Sequence, residues 1–154
     1  MPITISSPNF RANGTIPVRF TCDGENISPK LIFLNVPERT RSLALTVEDP
    51  DVPISIRTDG MWNHWVVWNM PPTTVEINEG DVPPGIVGVN TRGNTAYGGP
   101  CPPDREHRYI FTLYAVDSLV GLPQGSTKEE FLQALNGHVI EQAELVGRYN
   151  RNLN

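Results

Sequence analysis

Three long stretches of this chain alternate hydrophobic and polar positions with a period of two, the signature of β-strands. Ser42–Glu48 places Leu43, Leu45 and Val47 on one side and Ala44, Thr46 and Glu48 on the other. The run Trp62–Met70 (Trp-Asn-His-Trp-Val-Val-Trp-Asn-Met) is rich in aromatic and β-branched residues on both sides, as a strand buried on both faces requires. Arg108–Val116 is the third strong strand, and Val18–Thr21 and Leu31–Leu34 are weaker candidates. Turn formers separate them at Asn13-Gly14, Asp23-Gly24, Asp59-Gly60, Pro71-Pro72, Pro83-Pro84-Gly85 and Gly98-Gly99-Pro100. Strands at short, irregular spacing without intervening helices predict a mostly-β antiparallel sandwich.

The period changes near the C-terminus. Ser126-Thr127-Lys128-Glu129-Glu130 holds two overlapping capping boxes, followed by Phe131, Leu132 and Leu135 at helical spacing and Gly137 as a stop. A second short helix is expected from about His138 to Val146, with Val139, Ala143 and Val146 as its apolar stripe. The two helices would pack at an edge or end of the sandwich.

A length of 154 residues suits one domain, taken here as residues 1–154. The 13 glycines and 15 prolines exceed the average share of roughly 12%, yet they are scattered, so they mark many turns in an ordered chain. A composition 38% apolar and 19% charged argues against disorder. The net charge of −5 provides no basic field for a nucleic-acid backbone, and no apolar run reaches the ~18–20 residues that span a bilayer. The segment Met1-Pro2-Ile3-Thr4-Ile5-Ser6 has neither a basic nor an apolar signal region, so a cytoplasmic location is expected. Two cysteines, Cys22 and Cys101, make no disulfide framework and no zinc cluster; they could pair if the fold brings them together, but a reducing compartment favours free thiols.

Candidate chemistry gathers at strand ends. In Asp49-Pro50-Asp51-Val52-Pro53 the two acids share a side of extended chain, stiffened by Pro50. Trp62 and His64 share a face, and an imidazole in so apolar a strand needs a hydrogen-bond partner. His107 and Tyr109 share another, leaving Arg108 pointing away as a structural ion-pairing residue. In Tyr97-Gly98-Gly99-Pro100-Cys101-Pro102-Pro103, glycines allow close backbone approach to a ligand and prolines make a rigid wall. Each feature alone reads as a turn or a satisfied core residue. Three same-face polar pairs beside one rigid wall suggest a shared pocket.

These motifs resemble the phosphatidylethanolamine-binding proteins, a family that includes Raf kinase inhibitor protein and plant flowering-time regulators, and most closely its bacterial and archaeal branch. The resemblance is carried by Asp49-Pro50-Asp51-Val52-Pro53, by His64–Pro71, by Tyr97–Pro103 with His107-Arg108-Tyr109, by Phe20–Pro29, and by Gly137–Tyr149, which resembles the prokaryotic C-terminal helix. It implies a sandwich with a small pocket at one end, lined by Asp49, Asp51, His64 and His107 with Trp62, Gly99, Pro100, Pro102 and Tyr109 alongside. That pocket would accept phosphate-like anions or phosphoethanolamine head groups, without a cofactor. The resemblance also makes Val52–Pro53 a candidate cis bond and Cys22 and Cys101 candidate neighbours, bonded or not. Two departures stand out. Asp104, Arg105 and Glu106 fill positions where relatives often carry glycine, and the C-terminal tyrosine that helps close the mammalian pocket has no identifiable counterpart.

The leading expectation is non-enzymatic binding of a small anion, with protonated His64 and His107 as donors and the two acids orienting them. A kinase or another protein is a possible partner, and homodimers are common among prokaryotic relatives. Competing readings are a protease inhibitor, a metal site built from Asp49, Asp51, His64 and His107, and a Cys101–His107 thiol dyad.

Overall fold

The computed structural model describes residues 1–151. Eight strands form two antiparallel sheets. The smaller has the order β1-β2-β5, from Thr4–Ser6, Leu31–Leu34 and Glu76–Ile77. The larger has the order β6-β4-β3-β7-β8, from Ile86–Val87, Trp62–Met70, Ser42–Asp49, His107–Val116 and Val139–Tyr149. The expected mostly-β sandwich is what the chain forms.

Alternation along β3 explains the layers. Leu43, Leu45 and Val47 face the small sheet and join Leu31, Phe33, Ile77, Phe111 and Leu113 in the inter-sheet core. Ala44 on the opposite face joins Val66, Trp68, Tyr114 and Val116 under one α-helix, α1 (Lys128–Leu135). β3 and β4 are thus covered on both sides, and this is why they carry so few exposed polar positions. Of the two capping boxes, the second is used: the Thr127 hydroxyl accepts from the Glu130 amide and Glu130 reaches back to the Thr127 amide.

The second expected helix does not form. Residues 139–149 are β8, the edge strand, paired with β7 from Val116↔Val139 to His107↔Tyr149. Val139, Ala143 and Val146 do fall at helical spacing, but Leu145, Gly147 and Tyr149 also alternate, and those three are the buried ones. Gly147 settles the contest. A Cβ there would lie 2.6 Å from Ile16 Cγ1 and 2.9 Å from Phe10 Cε2, so the strand can press on these residues only because this position lacks a side chain. Val18–Thr21, expected as a strand, instead holds a single 3-10 turn, Val18–Phe20, that follows Pro17.

Candidate functional site

The C-terminal end of β3 and the N-terminal ends of β4 and β7 meet at one end of the large sheet, with Asp49 opposite Trp62 and Glu48 opposite Ile110. Asp49, His107 and Tyr109 project to the inter-sheet side by ordinary alternation. His64 arrives there differently. The register passes from Val47↔Trp65 to Glu48↔Asn63, leaving His64 as the extra residue of a β-bulge. Trp65 belongs to the inter-sheet core, so strict alternation would send His64 to the opposite face. The bulge turns both rings inward, and His64 packs edge-on to Tyr109 with ring centroids 5.3 Å apart.

These residues open on a cavity of about 290 Å³, at the small end of the range for ligand sites. Asp49, Trp62, His64, Gly99 and His107 line it; Asp51, Pro100, Pro102 and Tyr109 do not. Tyr109 lies behind the two imidazoles, fully buried with its hydroxyl unpartnered, and burial next to the Asp49 charge pushes that hydroxyl's pKa up. The Pro100 carbonyl is turned away to accept from the Cys22 amide. Pro102 is buried in the wall outside the cavity lining.

The two acids part company. β3 ends at Asp49 and a turn begins at Pro50, so the period of two does not carry through to Asp51. Asp49, 3% exposed, accepts from the Asp51 amide at 2.8 Å and faces His107 Nδ1 at 2.6 Å. Burial holds its carboxyl above the usual range, against the pull of His107. Asp51 turns outward and binds Arg108 three times, at the backbone amide (2.9 Å), Nε (3.0 Å) and Nη2 (2.8 Å), and Arg108 pulls its pKa down to about 2.

The imidazoles differ as well. His107 is fully buried with a carboxylate on each nitrogen: Asp49 on Nδ1 and Asp104 on Nε2, both at 2.6 Å. Both ring nitrogens are thus committed to carboxylates and neither is left for a ligand. That bond holds Asp104 below the usual carboxylate range. His64 Nδ1 lies 2.7 Å from the Gly98 carbonyl, which also only accepts, so Nδ1 carries the hydrogen. Its Nε2 is buried with no partner. Burial first, then the charges of Arg92 and His107, push the His64 pKa down to about 4, so the ring is neutral near pH 7 and Nε2 is an acceptor. The expectation of two protonated histidines is corrected for His64.

The outer wall is stitched in place. Gly98 donates to the His64 carbonyl and Gly99 to Asn26 Oδ1 at 2.8 Å. A Cβ on Gly99 would sit 2.3 Å from that same oxygen and 2.5 Å from the Phe20 carbonyl, so only glycine fits. Cys22 and Cys101 form a disulfide, Cα–Cα 5.5 Å, which overturns the free-thiol expectation. The fold packs the 20–26 segment against this loop and brings the two sulfurs together. Cys101 therefore offers no thiol for a dyad with His107. Nor do Asp49, Asp51, His64 and His107 converge as metal ligands: Asp51 faces Arg108, and both His107 nitrogens face carboxylates. Among the described residues no group of three or more His, Cys, Asp or Glu side chains could hold a metal ion, and no peptide bond is cis, Val52–Pro53 included.

The loop after β6 supplies cavity residues that the motifs did not single out: Asn90, Arg92 and Asn94. Asn-Thr-Arg-Gly-Asn at 90–94 reads as a solvated turn, and nothing local marks it. It is held to β4 by Thr91 N–H to the Asn63 carbonyl (2.9 Å) and Asn63 N–H to Thr91 Oγ1 (2.8 Å).

A model of the family "Phosphatidylethanolamine-binding protein" matches residues 6–150. The chain belongs to this family. A UPF0098 protein of Chlamydia pneumoniae is 47% identical over 94% of this chain and 97% of its own length. Another, from the archaeon Methanothermobacter thermautotrophicus, is 46% identical over 92% and 95%. Among solved structures, a phosphatidylethanolamine-binding protein homologue from Chlamydia trachomatis superposes with a TM-score of 0.95 at 44% identity, covering 98% of this chain and 99% of that one. Escherichia coli YbcL, described as a new member of the mammalian family, gives 0.89 at 28% identity, covering 99% and 100%. The match spans both sheets and all the strand ends that build the cavity. Among the described residues no helix is long and apolar enough to cross a membrane.

Proposed function

We propose that this protein binds a small phosphate-bearing anion in the cavity beside His64, without turning it over. The supporting observation is which charges at the cavity are already used. Asp49 is held by His107 and by the Asp51 amide, and Asp51 is clamped by Arg108 outside the cavity lining. Arg92 lines the same cavity and has no ion-pair or hydrogen-bond partner among the described residues. A site whose acids are paired internally while its arginine is free offers net attraction to an anion. The family's name supports phosphate chemistry, and the cavity volume favours a ligand of head-group size or smaller.

The reading takes residues 1–154 as one domain, which the family match over 6–150 supports. An oxidising compartment is where the Cys22–Cys101 bond persists, so this reading sets the bond against the cytoplasmic location expected from the N-terminal sequence. A protein partner such as a kinase or protease would be additional to this site.

The test is calorimetric titration with inorganic phosphate. Saturable binding by the wild type, weakened at least tenfold in Arg92→Ala and partly kept in Arg92→Lys, supports the reading. No binding by the wild type at millimolar phosphate refutes it.

A further inference from the structure

The buried Nε2 of His64 is a polar atom with no protein partner, on a ring only 6% exposed that lines the cavity. Leaving such an atom unpaired in the folded protein is unfavourable. Its role is fixed by geometry, because Nδ1–H is committed to the Gly98 carbonyl and Nε2 is left with a lone pair. A ligand that fills this position must bring a hydrogen. A fully ionised oxyanion has none, and its negative oxygen would face the lone pair.

Building on the reading above, we propose that the cavity selects its anion by a proton: His64 Nε2 accepts from the P–OH of a singly protonated phosphate monoester while Arg92 pairs with the ionised oxygens. Phosphate diesters and sulfate, which carry no such hydrogen near neutral pH, are disfavoured. The ligand is then a soluble monoester or dihydrogen phosphate, in preference to an intact phospholipid head group, whose phosphate is a diester. The charged and titratable groups that face this ring are Arg92 from the 90–94 loop and His107 and Tyr109 from β7. Asp49 of β3 and Asp104 stand one step further off, both bonded to His107. Arg92 and His107 both oppose protonation of His64, so the acceptor survives down to about pH 4.

The test compares methyl phosphate, dimethyl phosphate, sulfate and glycerophosphoethanolamine by calorimetry on the whole protein. Methyl phosphate has its second ionisation near pH 6, so its monoanion grows about fifty-fold in fraction from pH 8 to pH 6. Its affinity is expected to rise by about that factor over the same interval and to fall again as pH drops through 4. At pH 6 dimethyl phosphate and sulfate should bind at least tenfold more weakly. His64→Phe, with folding checked by near-ultraviolet circular dichroism, should abolish the discrimination. The wild-type comparison stands even where that variant fails to fold. Equal affinity for methyl and dimethyl phosphate, affinity flat from pH 8 to pH 6, or glycerophosphoethanolamine binding as tightly as methyl phosphate would each overturn the inference and leave anion binding intact. Absence of binding by every phosphate removes both.

Discussion

At one end of the five-stranded sheet, around Trp68, Met70, Tyr114 and Val116, hydrocarbon covers both faces and α1 closes the outer one, with Phe131 stacked on Trp68 at 5.7 Å and edge-on to Tyr114 at 6.0 Å. At the other end, around Asp49, Trp62 and His107, the buried side chains include a carboxylate and two imidazoles, and the outer wall is a coil anchored on the core through Tyr97, edge-on to Trp65 at 5.4 Å. Apolar packing is non-directional, so the first end needs only volume and shape. The polar end needs a partner for every donor and acceptor, and it draws those partners from far along the chain: Asn26 for Gly99, Phe20 for Tyr97, Cys22 for Cys101. Specific pairings between distant segments therefore hold the cavity wall in place. Among the buried polar atoms left without a partner there, which also include Asn63 Oδ1 and the Tyr109 hydroxyl, His64 Nε2 belongs to a residue that lines the cavity.

Damage at the packed end should not reach the cavity. Phe131→Ala removes the ring that α1 contributes to Trp68 and Tyr114, and should cost about 3–5 kcal/mol in urea unfolding. Phosphate affinity of the folded fraction should stay within twofold, because no α1 residue lines the cavity. A parallel loss of affinity would show that the two ends act as one unit.

Damage at the polar end should reach both stability and binding. Replacing Cys22 and Cys101 together by serine removes a bond that closes 79 residues of chain, an expected loss of about 3–4 kcal/mol. Here phosphate affinity should fall as well, since both residues line the cavity and their bond fixes the Gly98–Pro103 wall. Calorimetry on the reduced and oxidised wild type checks the same point without substitution.

Legibility in the sequence follows the same division. β3, β4 and β7 were readable because residues such as Leu43, Leu45 and Val47 declare their face by period alone. β8 was not, since Val139, Ala143 and Val146 fit a helix as well, and only the close approach of Gly147 to Ile16 and Phe10, a tertiary fact, decides against it. In the site, the motifs located the strand ends, and His64, His107 and Asp49 do share one cavity. The bulge that turns His64 inward is a property of register, invisible in one strand's sequence. Asp51 misled because a turn interrupts the alternation that relates it to Asp49. Arg92 was silent because a turn-forming loop gives no hint of where it will fold back.

Acid sensitivity separates the two ends by titration. His64 is pushed from 6.5 down to about 4, so the unfolded chain binds a proton that the folded one refuses between those values. Stability is therefore lost as pH falls from 6.5 to 4, by about 3 kcal/mol. Asp49, raised by burial, works in the opposite sense, and Asp51 enters only below about pH 4. Urea unfolding at pH 7, 5.5 and 4.5 should show this slope in the wild type and in Phe131→Ala alike. His64→Gln should flatten it, and an unchanged slope in that variant would place the acid sensitivity elsewhere.

The smallest effect belongs to Asp51, and it tests where the polar end stops. Asp51→Asn removes the charge that holds Arg108, a pair whose arginine is half exposed, so the expected cost is only about 1 kcal/mol. Family resemblance groups this acid with Asp49, whereas the geometry separates them: Asp49 touches His107 and the cavity, and Asp51 touches Arg108 on the outside. Asp51→Asn should accordingly leave phosphate affinity within twofold. Asp49→Asn exchanges a carboxylate for a neutral amide beside the His107 ring and should change the affinity by more. If the two variants weaken phosphate binding equally, Asp51 swings into the site when ligand arrives, and the boundary drawn between the two acids fails.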